Sequence, residues 1–402
     1  MSFAPVAFSP WWRFPLALML LEVVVYLSQD MYLPALPVVQ AWFGVDPPAA
    51  QFSVAAWSSG AALVQLVTGP ASDRLGRRVV LLAGVAGFAL SCLACALTAG
   101  YRGFLAARVA EGCAGIWAIS AGYAGIHELF EARTAIRIQA WMNSVTVLAP
   151  ALGPALGAGL MLVAPWQGMF VLLGAAAGAL FLLLWRWMPE TVDAAGRAPV
   201  SARRVAASYV ALLRNGPLMC LLGVWCLVFT VMVVWSVSGP FLLRDQRGGA
   251  SGFVWAQLYA CGSYIAGTRL VARMLHLYPR EVLLGAALDI CLGGIGATLL
   301  AALLLAPVMV VVGLYGVFML GAGLLMAPLF RAVLERAHQD MGLRVAWLSS
   351  VINATGAIAS ALAALLDVGQ FRAFGGLGLL AVLGARQLAR SRRGLAASLG
   401  AA

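Results

Sequence analysis

Apolar stretches of about 20 residues recur from residue 14 to residue 388, and that one pattern leaves few folds open to the chain. A helix rising 1.5 Å per residue needs about 20 apolar residues to cross the roughly 30 Å hydrocarbon layer of a bilayer. Inside that layer each backbone N–H and C=O must be satisfied without water, so only helices and closed barrels span it. Segments this long belong to helices. The composition agrees: 63% of the 402 residues are hydrophobic and 10% are charged, against about 25% charged in soluble domains. The expected fold class is an all-α membrane protein. A formal net charge of +11 is therefore no argument for nucleic acid. All 26 basic residues are arginine, a compositional bias that changes little on a solvated loop.

Breaking the chain at proline, glycine and charge clusters gives twelve spans, near 14–36, 51–68, 79–99, 104–127, 137–162, 166–187, 216–240, 252–272, 281–304, 307–331, 344–366 and 371–388. The polar stretch 188–215 follows the sixth. It divides a six-helix bundle at 1–187 from a second at 216–402, which ends in a short basic tail. The first span is too long for a cleavable signal, carries two acids and runs into PALP. Counting arginines with the N-terminus inside puts 21 at the inner side and four outside, at Arg102, Arg244, Arg247 and Arg372. That asymmetry predicts both termini in the cytoplasm. Two basic-linked halves of six spans are the layout of transporters that rock around a midplane site. The seven cysteines fall within spans. Cys92 and Cys95 have the spacing of a redox or metal pair, but no second pair or histidine cluster accompanies them. They read as small packing residues, and no metal site is expected.

Two carboxylates interrupt the first span. Each costs roughly 2.5–3.5 kcal/mol at the bilayer centre. On a helix Glu22, Tyr26 and Asp30 advance about 40° per step of four, so they form one stripe that can face a cavity. Glu22 falls near mid-membrane and Asp30 in the outer half. Arg108 lies about four residues inside the fourth span, too deep to snorkel easily, and calls for a cavity or a carboxylate. Two partners are open to it: Asp30 at similar depth, and Glu111 three residues on. An Asp30–Arg108 lock alone would leave Glu22 without a purpose. The stripe therefore reads as protonatable sites lining a cavity. Further cavity candidates are Trp57, Trp117, Tyr123, Asn143 and Trp235. Asp289, in the ninth span, reads as an acid bonded to nearby backbone or hydroxyls.

Two short motifs carry more. Residues 69–82 read GPASDRLGRRVVLL: Gly69 and Gly76 permit a tight turn, while Asp73, Arg74, Arg77 and Arg78 put opposite charges at its mouth. Residues 149–159 read APALGPALGAG, with Pro150, Gly153, Pro154 and Gly157. A Gly-Pro pair removes a helical hydrogen bond and admits a close neighbour.

The first motif resembles the signature loop of the major facilitator superfamily. G-P-x-x-G at 153–157 is similar to the antiporter motif of drug/proton exporters, and R-x3-G at 108–112 to the family's fourth-helix motif. Together with Glu22, Tyr26, Asp30, Met142, Asn143, PWQGMFVL at 165–172 and MPET at 188–191, the chain resembles the MdfA-type multidrug/proton antiporters of bacterial inner membranes. The match runs through nearly all of the first half; in the second it is mostly topology plus Arg331. The resemblance implies a 12-helix fold that exports hydrophobic cationic and neutral drugs in exchange for protons, by alternating access. It implies a monomer driven by the proton gradient, without a cofactor. It also implies that Asp73 pairs across helices to hold the outward-open state, and that Arg108 serves proton coupling. Glu111 departs from the family, which usually has an uncharged amide there, and so does Asp289, at a position normally apolar. Two other functions suit the fold: a sugar or amino-acid exporter, and a monovalent cation/proton antiporter. Sugars need many amides, and the first half offers few beside Gln29, Gln65, Gln139 and Asn143. No clustered Ser-His-Asp, metal set or phosphate-binding loop suggests an enzyme.

Overall fold

The computed structural model describes residues 12–191, 202–244, 249–336, 341–366 and 369–390. Among them are fourteen α-helices, twelve of them 18 residues or longer. The first half holds α1 (Arg13–Asp30), α2 (Leu36–Phe43), α3 (Pro47–Leu75), α4 (Arg77–Leu97), α5 (Tyr101–Leu129), α6 (Ala132–Leu160) and α7 (Gln167–Trp187). A short α8 (Ala202–Arg214) precedes α9 (Gly216–Leu242), α10 (Gly249–Met274), α11 (Arg280–Leu303), α12 (Val308–Arg336), α13 (Met341–Leu365) and α14 (Phe371–Arg390). Among the described residues nine segments, counting α1 and α2 as one, are long and apolar enough to cross a membrane.

The first span differs from its expected form. It breaks after Asp30 into a 3-10 turn at Leu33–Ala35, then resumes as α2. Pro34 and Pro37 impose that break, because neither can donate to the preceding turn. Gly44 ends α2 in the left-handed region at φ 62°, where glycine has no Cβ to clash. The third helix runs past its expected ends at both sides. Its two opening prolines sit in the first turn, where a missing N–H costs nothing. In the linker, part of the stretch read as merely polar folds as α8, with Leu212 buried.

Backbone packing is closest where glycines cross. A Cβ at Gly60 would stand 2.1 Å from the Val109 carbonyl oxygen, and one at Gly112 equally close to that of Trp57. Thus α3 and α5 touch backbone to backbone, each through a glycine. The second half repeats the device between α10 and α12: a Cβ at Gly267 would stand 2.2 Å from the Leu320 carbonyl oxygen, and one at Gly323 2.1 Å from that of Tyr264. Small residues allow such approach, on which helix association in lipid depends. The halves meet where α3 packs on α13 and α6 on α10. One end of the molecule carries the α3–α4 corner, the end of α7, and α8; it is called the linker end below.

Candidate functional site

On α1, Glu22 is fully buried. Its Oε1 accepts the Tyr123 hydroxyl of α5 at 2.7 Å, while Oε2 has no hydrogen-bond partner among the described residues. It makes no ion pair among the described residues. Eight residues on, Asp30 is half-buried at the last turn of α1 and makes no ion pair among the described residues. The antiporter-like motif packs directly on this turn. A Cβ at Gly153 would sit 2.5 Å from Asp30 Cβ, and one at Gly157 2.0 Å from the Met31 carbonyl oxygen. Only glycine lets α6 approach Asp30 so closely.

Arg108 is fully buried and sits seven residues inside α5, since the helix begins at Tyr101. That is deeper than the sequence suggested. Of its two possible partners the structure selects Glu111, whose Oε2 accepts from Nη1 at 2.6 Å; Asp30 is not its counter-ion. Nη1 also donates to the Ser28 carbonyl at 3.2 Å, and Nε reaches that of Ser53 at 3.5 Å. The guanidinium lies 4.9 Å from the Tyr32 ring centroid and 5.5 Å from that of Phe170, a favourable cation–π setting. Glu111 in turn accepts from the thiols of Cys92 and Cys95 on α4, each at 3.6 Å. These two cysteines do more than pack. A thiol's partner is set by the neighbouring helix, so sequence gave no signal beyond their i,i+3 spacing.

The signature loop forms a charged corner at the linker end. Gly76 bends at φ 101°, a region that favours glycine, and a Cβ there would stand 2.5 Å from Glu190 Oε2. Glu190 caps α4, accepting from the Arg77 N–H at 2.9 Å. The Arg77 side chain pairs with Asp73 and, at 3.0 Å, with Glu128 of α5; Thr191 also bonds Glu128. Arg78 donates to the Trp185 carbonyl at 2.6 Å. The Asp73 pair thus crosses from α3 to α4 but stays within the first half. At this corner the Gly69 carbonyl accepts from the Ser72 hydroxyl at 2.9 Å with open space where a Cβ would stand, and Arg74 makes no ion pair among the described residues.

The remaining candidates are dispersed. Tyr123 joins Glu22, and Tyr26 and Trp117 are partly buried against the core. Trp57 is closed into the α3–α5 crossing at 1% exposure. Trp235 stacks on Tyr315 at 4.4 Å in the second half and donates to Gln257 at 3.0 Å. The side chain of Asn143 lies outside the described residues. Asp289 does not use backbone or hydroxyls: it pairs with Arg386 of α14, an arginine the sequence reading assigned to the inner helix ends.

Comparison with known proteins places the fold. The family model described as Major Facilitator Superfamily matches residues 18–364. The chain belongs to the major facilitator superfamily. Among curated relatives, it is 34% identical over 343 residues to the multidrug resistance protein MdtM of Salmonella typhimurium, covering 84% of this chain and 82% of that one. It is 33% identical to the multidrug transporter MdfA of Edwardsiella piscicida, covering 82% and 80%. Among solved structures, a D-xylose-proton symporter superposes with a TM-score of 0.73 over 94% of this chain and 97% of its own, at 16% identity. That likeness concerns the fold alone. This superfamily member is a multi-pass membrane transporter, of the kind found in the inner membrane of bacteria.

Proposed function

We propose that this transporter exports hydrophobic drugs, cationic and neutral, in exchange for protons. The observation that carries the reading is the state of Glu22: a fully buried carboxylate that, among the described residues, has one tyrosine partner, one oxygen without a partner and no ion pair. A buried carboxylate is costly unless protonated or paired, so a proton or a bound cation completes it in turn. Its relatives' names supply the substrate class. In this scheme the twelve long helices all span the bilayer, in bundles at 1–187 and 216–402 joined by 188–215. The linker end, with its arginines, faces the cytoplasm, as do both termini. Glu22 takes the cationic substrate. Asp30, free of Arg108 and held against Gly153, carries the proton cycle, with the Arg108–Glu111 pair as its fixed neighbour. Asp73 and Arg77 set the balance of inward and outward states. A monomer suffices, driven by the proton gradient. The test is drug uptake into proteoliposomes under an imposed pH gradient. Accumulation that tracks the gradient and vanishes in Glu22→Gln/Asp30→Asn supports exchange; uptake indifferent to the gradient overturns it.

A further inference from the structure

Proline inside a helix leaves the carbonyl four residues earlier without its donor. Pro70 does this to Leu66 on α3, and Pro154 does it to Pro150 on α6. Neither carbonyl is left bare, and neither is filled from the first half. The Tyr209 hydroxyl of α8 donates to the Leu66 carbonyl at 3.1 Å. The Gln257 side-chain amide of α10 donates to the Pro150 carbonyl at 3.3 Å. Gln257 is buried, and its Oε1 accepts from Trp235 Nε1 at 3.0 Å, which turns its NH2 toward α6. Tyr209 belongs with the second half, because α8 packs on α9 and α13. One turn from Leu66, Ser350 of α13 also donates to the Ala62 carbonyl, at 2.9 Å.

The two contacts sit on opposite sides of the helix midpoints. Leu66 lies past the middle of α3 toward the linker end, and Pro150 past the middle of α6 toward the far end. We propose that they are the two alternating clasps of the transport cycle, one closing each mouth between the halves. A freed carbonyl in a dry interface must keep a donor. Each clasp therefore holds while its mouth is dry and releases when entering water replaces the hydroxyl or the amide. Any helix-borne donor at the right height can close such a clasp, and parting the halves disrupts no helix. The inference needs alternating access of the fold only. It does not depend on which solute moves or on protons.

Hydrogen–deuterium exchange of the purified full-length protein, without substrate, tests it. Losing one net hydrogen bond shifts a local opening equilibrium about fivefold. Tyr209→Phe should speed exchange by about that factor in α8 and the linker-end part of α3, without speeding it in α6 or the far end of α10. Gln257→Met should do the reverse. Pro70→Ala restores a backbone N–H for Leu66, so Tyr209→Phe on that background should add less than about twofold; Pro154→Ala should blunt Gln257→Met in the same way. Equal acceleration at both ends, or effects undiminished on the alanine backgrounds, would overturn the proposal. Should either side-chain variant fail to fold, the proline variants still decide. Pro70→Ala alone must loosen α8, because its tyrosine then competes with the helix's own donor, and unchanged exchange there rejects the clasp.

Discussion

Glu22 and Asp30 share one helix face but have different surroundings, and their substitutions should differ accordingly. Glu22→Gln removes a buried carboxylate that no cation pairs with among the described residues. A charge-assisted contact contributes about 1.5–3 kcal/mol, so export of cationic drugs should fall at least about tenfold, with neutral drugs within about twofold. Asp30→Asn should depress both classes. Resistance profiles in an exporter-deficient strain measure this, and equal losses of both classes in Glu22→Gln would remove the division of labour. Glu111 carries a different prediction. It is the carboxylate that pairs with fully buried Arg108, and breaking a buried pair from one side costs about 3–5 kcal/mol. Glu111→Gln should therefore lower thermal stability markedly, whereas Asp30→Asn should leave it almost unchanged. Glu22, Asp30 and Arg108 were legible in the sequence because a charge within an apolar run stands out at any depth. The choice between Asp30 and Glu111 was not, since it turns on how α5 rotates against α1. The thiols that hold Glu111 were hidden for the same reason.

Helices announced themselves by length and apolarity. Their ends were less readable: Pro47 and Pro70 look like stops, yet one opens α3 and the other lies inside it. The helix in the linker went unseen because its arginines mask a short apolar face that only a neighbouring bundle gives meaning. The Asp289–Arg386 pair escaped notice because it joins α11 to α14, 97 residues apart. Glycine spacing in the antiporter-like motif, by contrast, was legible and can be tested. Gly157→Ala pushes a Cβ into the Met31 carbonyl, so α1 and α6 must separate, at about 1–3 kcal/mol. Gly159→Ala, where nothing lies within 4 Å, should unfold at the parent temperature. A thermal-shift comparison of the two variants suffices. At the linker end, Asp73→Asn removes one partner of Arg77 but leaves Glu128 and the Glu190 cap. It should slow transport by shifting the populations of inward- and outward-facing forms, with drug affinity of the purified protein kept within about twofold, since the corner lies far from Glu22. Pulsed spin-label distances together with equilibrium binding would expose the opposite pattern.

For the whole molecule, the proposed exchange predicts that a lipophilic cation and protons compete for the same buried charge. Affinity for the cation should rise with pH, because the carboxylate accepts it only when deprotonated, and binding in weak buffer should release protons. A calorimetric titration in two buffers of different ionisation enthalpy reads this directly; binding without proton release sinks the competition. The corner at the linker end has a consequence for how the chain is made. Arg77 opens α4, yet the carboxylate that caps it lies 113 residues further on. A ribosome feeding this chain into the membrane has long since delivered α3 and α4 when Glu190 emerges. Until then the turn at Gly76 lacks its cap. Asp73, Arg77, Glu128, Glu190 and Thr191 all precede α8. The corner of the first bundle is thus closed by the first residues after α7, before any helix of the second has been synthesised, and a chain halted at residue 187 would lack that cap.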